Sequence, residues 1–191
     1  MYLPVSLCSS GSGSCRLTAS IGSQKGYPCC ANSGVKHIFY SSLGFAGDYT
    51  STVAHVMGVH LETERFLADL PSIMTYTIIR EGLYSESFPS YTNRSHLQLP
   101  VSEIKIAHDG SGPGVAWVKR DELAEATANL VARYATATGG NPAKKSESGY
   151  PYVNKIVLLT GPKVFSLRET AEVWGRVVGK DVRITLVTVD E

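Results

Sequence analysis

What this sequence lacks narrows the possibilities first. Neither sign of charge dominates: 18 Lys and Arg stand against 17 Asp and Glu in 191 residues, a formal net charge of +1. A chain so balanced has no electrostatic footprint for nucleic acid or an acidic membrane surface, and neither is expected as a partner. Long apolar runs are missing too. Nothing approaches the roughly 18 uninterrupted apolar residues of a membrane-spanning helix, so a soluble protein is expected. Cysteine is absent from positions 31–191. The four present, Cys8, Cys15, Cys29 and Cys30, have neither the paired spacing of a zinc site nor the spread of a disulfide framework. They read as free thiols in a reducing compartment, with no metal. Met1 is not followed by a basic segment and a long apolar stretch, so a secretory signal is not expected and the cytoplasm is the default. Also missing are a Ser-His-Asp triad, a nucleophile elbow and a phosphate loop. Gly11 and Gly13 do not make a dinucleotide fingerprint, because Arg16 stands where a third Gly or Ala is required and no clear strand precedes them.

What is present is a 43% hydrophobic chain, too apolar for global disorder and long enough for one substantial core. Residues 1 to about 28 are rich in Ser and Gly without helical or strand periodicity, and poor order is expected there. The character then changes. Gly34 to Ser42 is a compact apolar run bounded by Gly and Ser, as in a buried parallel strand. From Thr52 to Leu70 apolar residues recur every three or four positions until Pro71, the pattern of a helix. Thr75 to Arg80 is β-branched and aromatic, the next strand.

Glu81 to Pro100 carries Gly82, Pro89 and Pro100 and reads as a long irregular loop, the natural place for a substrate lid. Short strands are expected over Val101–Ala107 and Val115–Val118, with a turn at Asp109–Gly114 between them. Asp121 caps a helix to about Ala135, and a polar linker follows from Gly139 to Gly149. Lys155–Thr160 is a strand, Ser166 and Glu169 form a capping box for a helix ending at Gly179, and Val182–Val189 is a final strand. Alternating strands and helices predict an α/β layered sheet.

Three places could carry chemistry. Tyr40, Ser41, Ser42 and Gly44 lie at the carboxyl end of a parallel strand, where ligands sit in open α/β sheets; a plain Ser-Ser turn has the same composition. His60 and Glu64 are four apart on the helix and able to pair, either as a site or as a surface ion pair. Arg80, Glu81, Gly82 and Tyr84 leave the second strand at the same edge.

Five segments in order then carry a family likeness: Gly34–Ser42, His60–Leu67, Tyr76–Glu86, Val115–Ala126, and Leu159–Pro162 with Ser166–Lys180. Together they resemble the NmrA-like branch of the atypical short-chain dehydrogenases/reductases, over about four-fifths of the chain. The nearest flavour is the averufin-oxidase-like oxidoreductases of fungal polyketide and mycotoxin biosynthesis. The resemblance implies an incomplete Rossmann-type (doubly wound) sheet with a small C-terminal substrate-side region, and NAD(P) as cofactor. It places Ser41, Ser42, Glu81 and Gly82 at the cofactor, with His60 in the position of the family's usual active-site Lys and Tyr84 as a second candidate catalytic group. The implied partner is a small aromatic substrate.

Two departures accompany the likeness. The wider superfamily has a Tyr four residues before that Lys, where this chain has Val56, so protonation would fall to His60 or Tyr84. The family's Gly-rich phosphate-binding turn lies on βα units upstream of the strand at Val35, and a βαβ unit needs about 30 residues or more. Residues 1–33 do not resemble those units and read as an unrelated leader, with 34–191 as the C-terminal part of an NmrA-like domain, as a truncated gene would give. On this reading the chain has no measurable NADPH affinity. A non-catalytic cofactor-sensing regulator and an inactive remnant are the alternatives to an oxidoreductase.

Overall fold

The computed structural model describes residues 5–10, 13–18, 35–45, 47, 55–70, 74–88, 102–139 and 149–188. Contacts divide the chain into two units: Met1–Glu81 with Leu123–Leu159, and Gly82–Glu122 with Thr160–Glu191. In order the elements are β1 (Val5–Ser10), β2 (Gly13–Thr18), β3 (His37–Leu43), α1 (His55–Ala68), β4 (Thr75–Glu81), a 3-10 turn at Ser85–Ser87, β5 (Glu103–Ile106), α2 (Arg120–Thr138), β6 (Lys155–Leu159), α3 (Leu167–Val178) and β7 (Arg183–Leu186).

The first unit is built on a five-stranded sheet in the order β2-β1-β3-β4-β6. β3, β4 and β6 run parallel, with Tyr40 beside Ile78 and Ile78 beside Ile156. Alternation along β3 sends Ile38 and Tyr40 to one face and His37 and Phe39 to the other. Ile38, Tyr40 and Ile78 pack with Leu67 of α1, while Phe39 and Ile79 pack with Leu130 and Tyr134 of α2. Both faces are thus covered by helices, which is why β3 reads as an unbroken apolar run rather than an alternating one. Helix α1 buries His60, Leu61, Thr63, Glu64 and Leu67, the three- and four-residue spacing of a single face. Each large apolar side chain buried here contributes about 1.5–3 kcal/mol, enough to seat the helix before its polar residues are considered. This is an incomplete Rossmann-type sheet, a parallel core between helices.

Its far edge differs from expectation. Over residues 1–28 no strand is expected from periodicity, yet β1 and β2 are strands, antiparallel to each other, and β1 is antiparallel to β3. Backbone hydrogen bonding explains this without any side-chain pattern, since β3 offers a row of N–H and C=O groups on that side that a neighbouring segment can satisfy. The register sets Cys8 directly across from Cys15. Cys29 and Cys30, the lid beyond Phe88 and residues 140–148 of the linker lie outside the described residues.

The second unit holds a parallel pair, β5 with β7, packed with α3 around Phe88, Ile104, Ala171 and Val182. The capping box forms as expected: the Ser166 hydroxyl accepts from the Glu169 N–H at 3.1 Å, and the Glu169 carboxylate accepts from the Ser166 N–H at 2.8 Å. Gly179 closes the helix at φ +67°, a left-handed conformation that favours glycine. Elsewhere the sequence expectation shifts. Val115–Val118 makes only isolated bridges, because its two ends pair with different segments, Val115 with Phe165 and Val118 with Tyr84. Asp121 lies inside the first turn of α2 rather than capping it. The Glu86 carboxylate accepts the Arg120 N–H at 3.1 Å instead, a cap from a distant segment that local sequence cannot announce.

Candidate functional site

The residues at the carboxyl edge of β3 and β4 fall into two groups because strands alternate. Ser42 and Arg80 are register partners and share the α1 face; Ser41 and Glu81 point to the opposite face.

On the α1 face sits a buried ionic cluster. Glu64, with its side chain 5% exposed, is gripped by Arg80 through two parallel bonds, Nε to Oε1 at 3.0 Å and Nη2 to Oε2 at 2.7 Å. The Ser42 hydroxyl donates to the same carboxylate at 2.5 Å, and Arg80 Nη1 donates to the Gly47 carbonyl at 3.3 Å. A buried carboxylate needs a paired charge and satisfied oxygens, and a bidentate guanidinium supplies both. Of the two readings open for His60 and Glu64, a site or a helix-surface ion pair, the surface pair is ruled out. Both residues are buried against the sheet, and Glu64 bonds across to β4 and β3 rather than along its own helix. Ser42, whose residue is 1% exposed, donates its hydroxyl into this cluster.

His60 takes a different partner. Its Nδ1 is hydrogen-bonded to the Tyr40 hydroxyl at 2.9 Å. Burial lowers its pKa below the ordinary value of 6.5, with Glu64 and Glu81 pulling the other way. At neutral pH the ring is therefore neutral, a hydrogen-bonding group rather than a standing cation.

The other face is more open. The Ser41 hydroxyl donates to Glu81 Oε1 at 2.6 Å, and both residues are partly exposed at the edge. Glu81 lies in register between Leu43 and Leu159, a carboxylate flanked by two apolar strand ends. Gly44 completes the rim. Its N–H donates to the Glu81 carbonyl at 2.6 Å, and a Cβ there would lie 2.9 Å from that oxygen, so the chain approaches closely where only glycine fits.

Gly82 and Tyr84 belong to the second unit. Gly82 is buried. Tyr84 bridges to Val118, and the Arg120 guanidinium lies 5.3 Å from its ring centre. The structure thus gathers Ser41, Ser42, His60 and Glu81 into one unit, joined by Tyr40, Glu64 and Arg80. The sequence reading had passed over how those three connect. The signal was present in part: His60 and Glu64 share a helix face, but pairing Ser42 with Arg80 required the register. Among the described residues no group of three His, Cys, Asp or Glu could hold a metal ion, and no helix is long and apolar enough to cross a membrane.

Parallel strands between helices, with small hydroxyls and a glycine at the carboxyl edge, are the frame on which nucleotide-binding α/β proteins build their sites. The comparisons narrow that class. An NmrA-like family domain-containing oxidoreductase of Aspergillus flavus, flvB, is 32% identical over 157 residues, 82% of this chain and 43% of that protein. Among solved structures, the NADPH-dependent quinone oxidoreductase QOR2 of Escherichia coli, complexed with NADPH, is 26% identical with a TM-score of 0.60, over 95% of this chain and 53% of that one. The Citrobacter sp. triphenylmethane reductase complexed with NADP(H) is 26% identical with a TM-score of 0.55, over 85% and 48%. No protein-family model matches. In sequence the chain is similar to an NmrA-like family oxidoreductase and in fold to NADPH- and NADP(H)-bound reductases, and it spans about half the length of the relatives it matches.

Proposed function

We propose that this chain is the nicotinamide-side part of an NAD(P)-dependent oxidoreductase acting on a small aromatic molecule in fungal secondary metabolism. The observation that carries the reading is the 32% identity to an NmrA-like oxidoreductase across 82% of the chain, with Ser41 and Glu81 at the carboxyl edge of a parallel sheet. The cofactor residues fit that role unequally. Glu81 is an acceptor for neutral donors such as an amide N–H or a hydroxyl and repels phosphate, so it suits the carboxamide or ribose end of a nucleotide rather than its pyrophosphate. Ser42 supports the site from behind through Glu64. When bound, the nicotinamide would supply or accept the hydride. This chain's part is to present acceptors at the edge, to hold His60 neutral against Tyr40, and to keep the edge rigid through the Glu64–Arg80 pair.

The test replaces the matching segment of the Aspergillus flavus relative with this chain and measures NADPH binding and oxidation. Retained NADPH binding that weakens at least tenfold in Glu81→Gln supports the reading. A hybrid that folds but neither binds nor oxidises NADPH refutes it.

A further inference from the structure

The second unit contains a cavity of about 350 Å³ lined by Ser85, Phe88, Trp117, Phe165, Thr170, Val173, Trp174 and Val177. Both tryptophans of the protein are in this lining. Phe88 stands edge-on to each of them, with ring centres 5.6 Å from Trp117 and 6.0 Å from Trp174 at interplanar angles of 82° and 63°. Phe88 is buried. The Trp117 indole is pinned, its Nε1–H donating to the Thr170 hydroxyl at 3.1 Å, and that hydroxyl in turn donates to the Ser166 carbonyl at 2.8 Å. The wall is therefore preorganised, and little side-chain freedom is lost when something enters it.

Its chemistry selects the occupant. None of the lining residues is charged. The Lys163 ammonium sits over the Phe165 ring at 4.6 Å and is not part of the lining. Four aromatic rings favour a flat ring system by stacking and edge contacts. Thr170 has already committed its proton to Ser166, which leaves the exposed Ser85 hydroxyl as the polar group for a ligand substituent. We propose that this cavity binds a neutral, planar, two- to three-ring aromatic compound carrying one hydroxyl. Every residue of its lining belongs to the second unit, and Ser41, Ser42, His60 and Glu81 are not among them.

The two tryptophans make the test direct. The 15N-labelled chain shows two indole N–H resonances, both within the proposed site. Titration with 2-naphthol is expected to shift both along one saturation curve, with a Kd on the order of 0.1–1 mM for a ligand of that size. 2-Naphthoate, the same ring with a negative charge, should bind at least tenfold more weakly. Val177→Asp places a charge on the cavity wall at a residue 75% exposed, where folding tolerates it, and should abolish saturation. Non-saturating shifts, equal binding of the anion, or unchanged binding in Val177→Asp would each overturn the proposal. So would indole shifts that follow protein concentration without probe, which would mean a second copy occupies the cavity.

Discussion

The imidazole of His37 offers the most quantitative prediction. It is fully buried in the first unit, stacked on Tyr134 with ring centres 4.0 Å apart. Its hydrogen bonds define its protonation. The Thr77 hydroxyl donates to the Tyr152 carbonyl at 2.9 Å, so at the 3.0 Å contact with His37 Nε2 it can only accept. Nε2 therefore carries the proton, and Nδ1 lies 2.7 Å from the Thr75 hydroxyl, whose single proton is shared between this nitrogen and the Lys36 carbonyl at 3.2 Å. A second proton would add a charge where no water reaches it, and burial lowers the pKa from 6.5 to about 4.

The sign follows from which state binds more protons. Between pH 6.5 and about 4 the unfolded chain takes up a proton that the folded chain refuses. The stability His37 secures as a neutral ring is therefore complete above 6.5 and is lost progressively as pH falls toward 4. The gap between those values, at about 1.4 kcal/mol per pH unit, is worth about 3 kcal/mol, of which about 2 kcal/mol is lost by pH 5. His60, also lowered by burial, acts in the same direction. Urea unfolding at pH 7.5, 6 and 5, for the wild-type chain and for His37→Gln, isolates the His37 share. Gln keeps a donor for Thr77 but does not titrate. The wild type should lose about 2 kcal/mol more than the variant between pH 7.5 and 5, roughly a 1 M difference in urea midpoint shift. Equal pH slopes in the two proteins would refute the reasoning, whatever the variant's starting stability.

Other consequences are sharper in direction than in size. Glu64→Gln removes the charge from the buried carboxylate that Arg80 grips, and should cost about 3 kcal/mol in urea unfolding. The double variant Glu64→Leu, Arg80→Met should recover most of that loss, since the pair must repay its own desolvation; a fully additive loss would show that the two do not act as a unit. Ser166→Ala removes the cap of α3 and should lower stability by about 1 kcal/mol, whereas Ser166→Asp should stay within a few tenths of wild type. Gly44→Ala should destabilise the β3–β4 edge, detectable as faster amide exchange at Leu43 and Gly44, because its Cβ meets the Glu81 carbonyl at 2.9 Å.

How legible the molecule was depends on the range of the interaction. β3, α1, β4, β6 and α3 declare themselves in sequence because apolar period, flanking breakers and the Ser166–Glu169 box are local. β1 and β2 do not, since they are strands by virtue of the edge that β3 presents, and their own residues carry no alternation. Glu86 as the acceptor for the first turn of α2 was equally hidden, being 34 residues from Arg120. At the site, composition at the strand ends singled out Ser41, Ser42 and Glu81, and helical spacing singled out His60, but neither signal could assign partners. The helical spacing that joins His60 to Glu64 is real, yet the partners chosen were Tyr40 and Arg80, because a buried carboxylate takes the strongest donor within reach.

That choice of partners separates two roles that looked like one. Adjacent serines at a strand end point to opposite faces, so Ser41 and Ser42 cannot both meet the same ligand group. Ser42 spends its proton on Glu64 inside the protein, and Ser41 spends its own on Glu81 at a partly exposed rim. Consequently a change at Ser42 should appear first in stability and a change at Ser41 first in ligand binding. Ser41→Ala takes one donor from the Glu81 carboxylate at the partly exposed edge; Ser42→Ala takes one donor from the buried Glu64 carboxylate, which Arg80 still grips. If Ser41→Ala proved the more destabilising of the two in urea, the assignment of the inner face to structure and the outer face to ligand would have to be reversed.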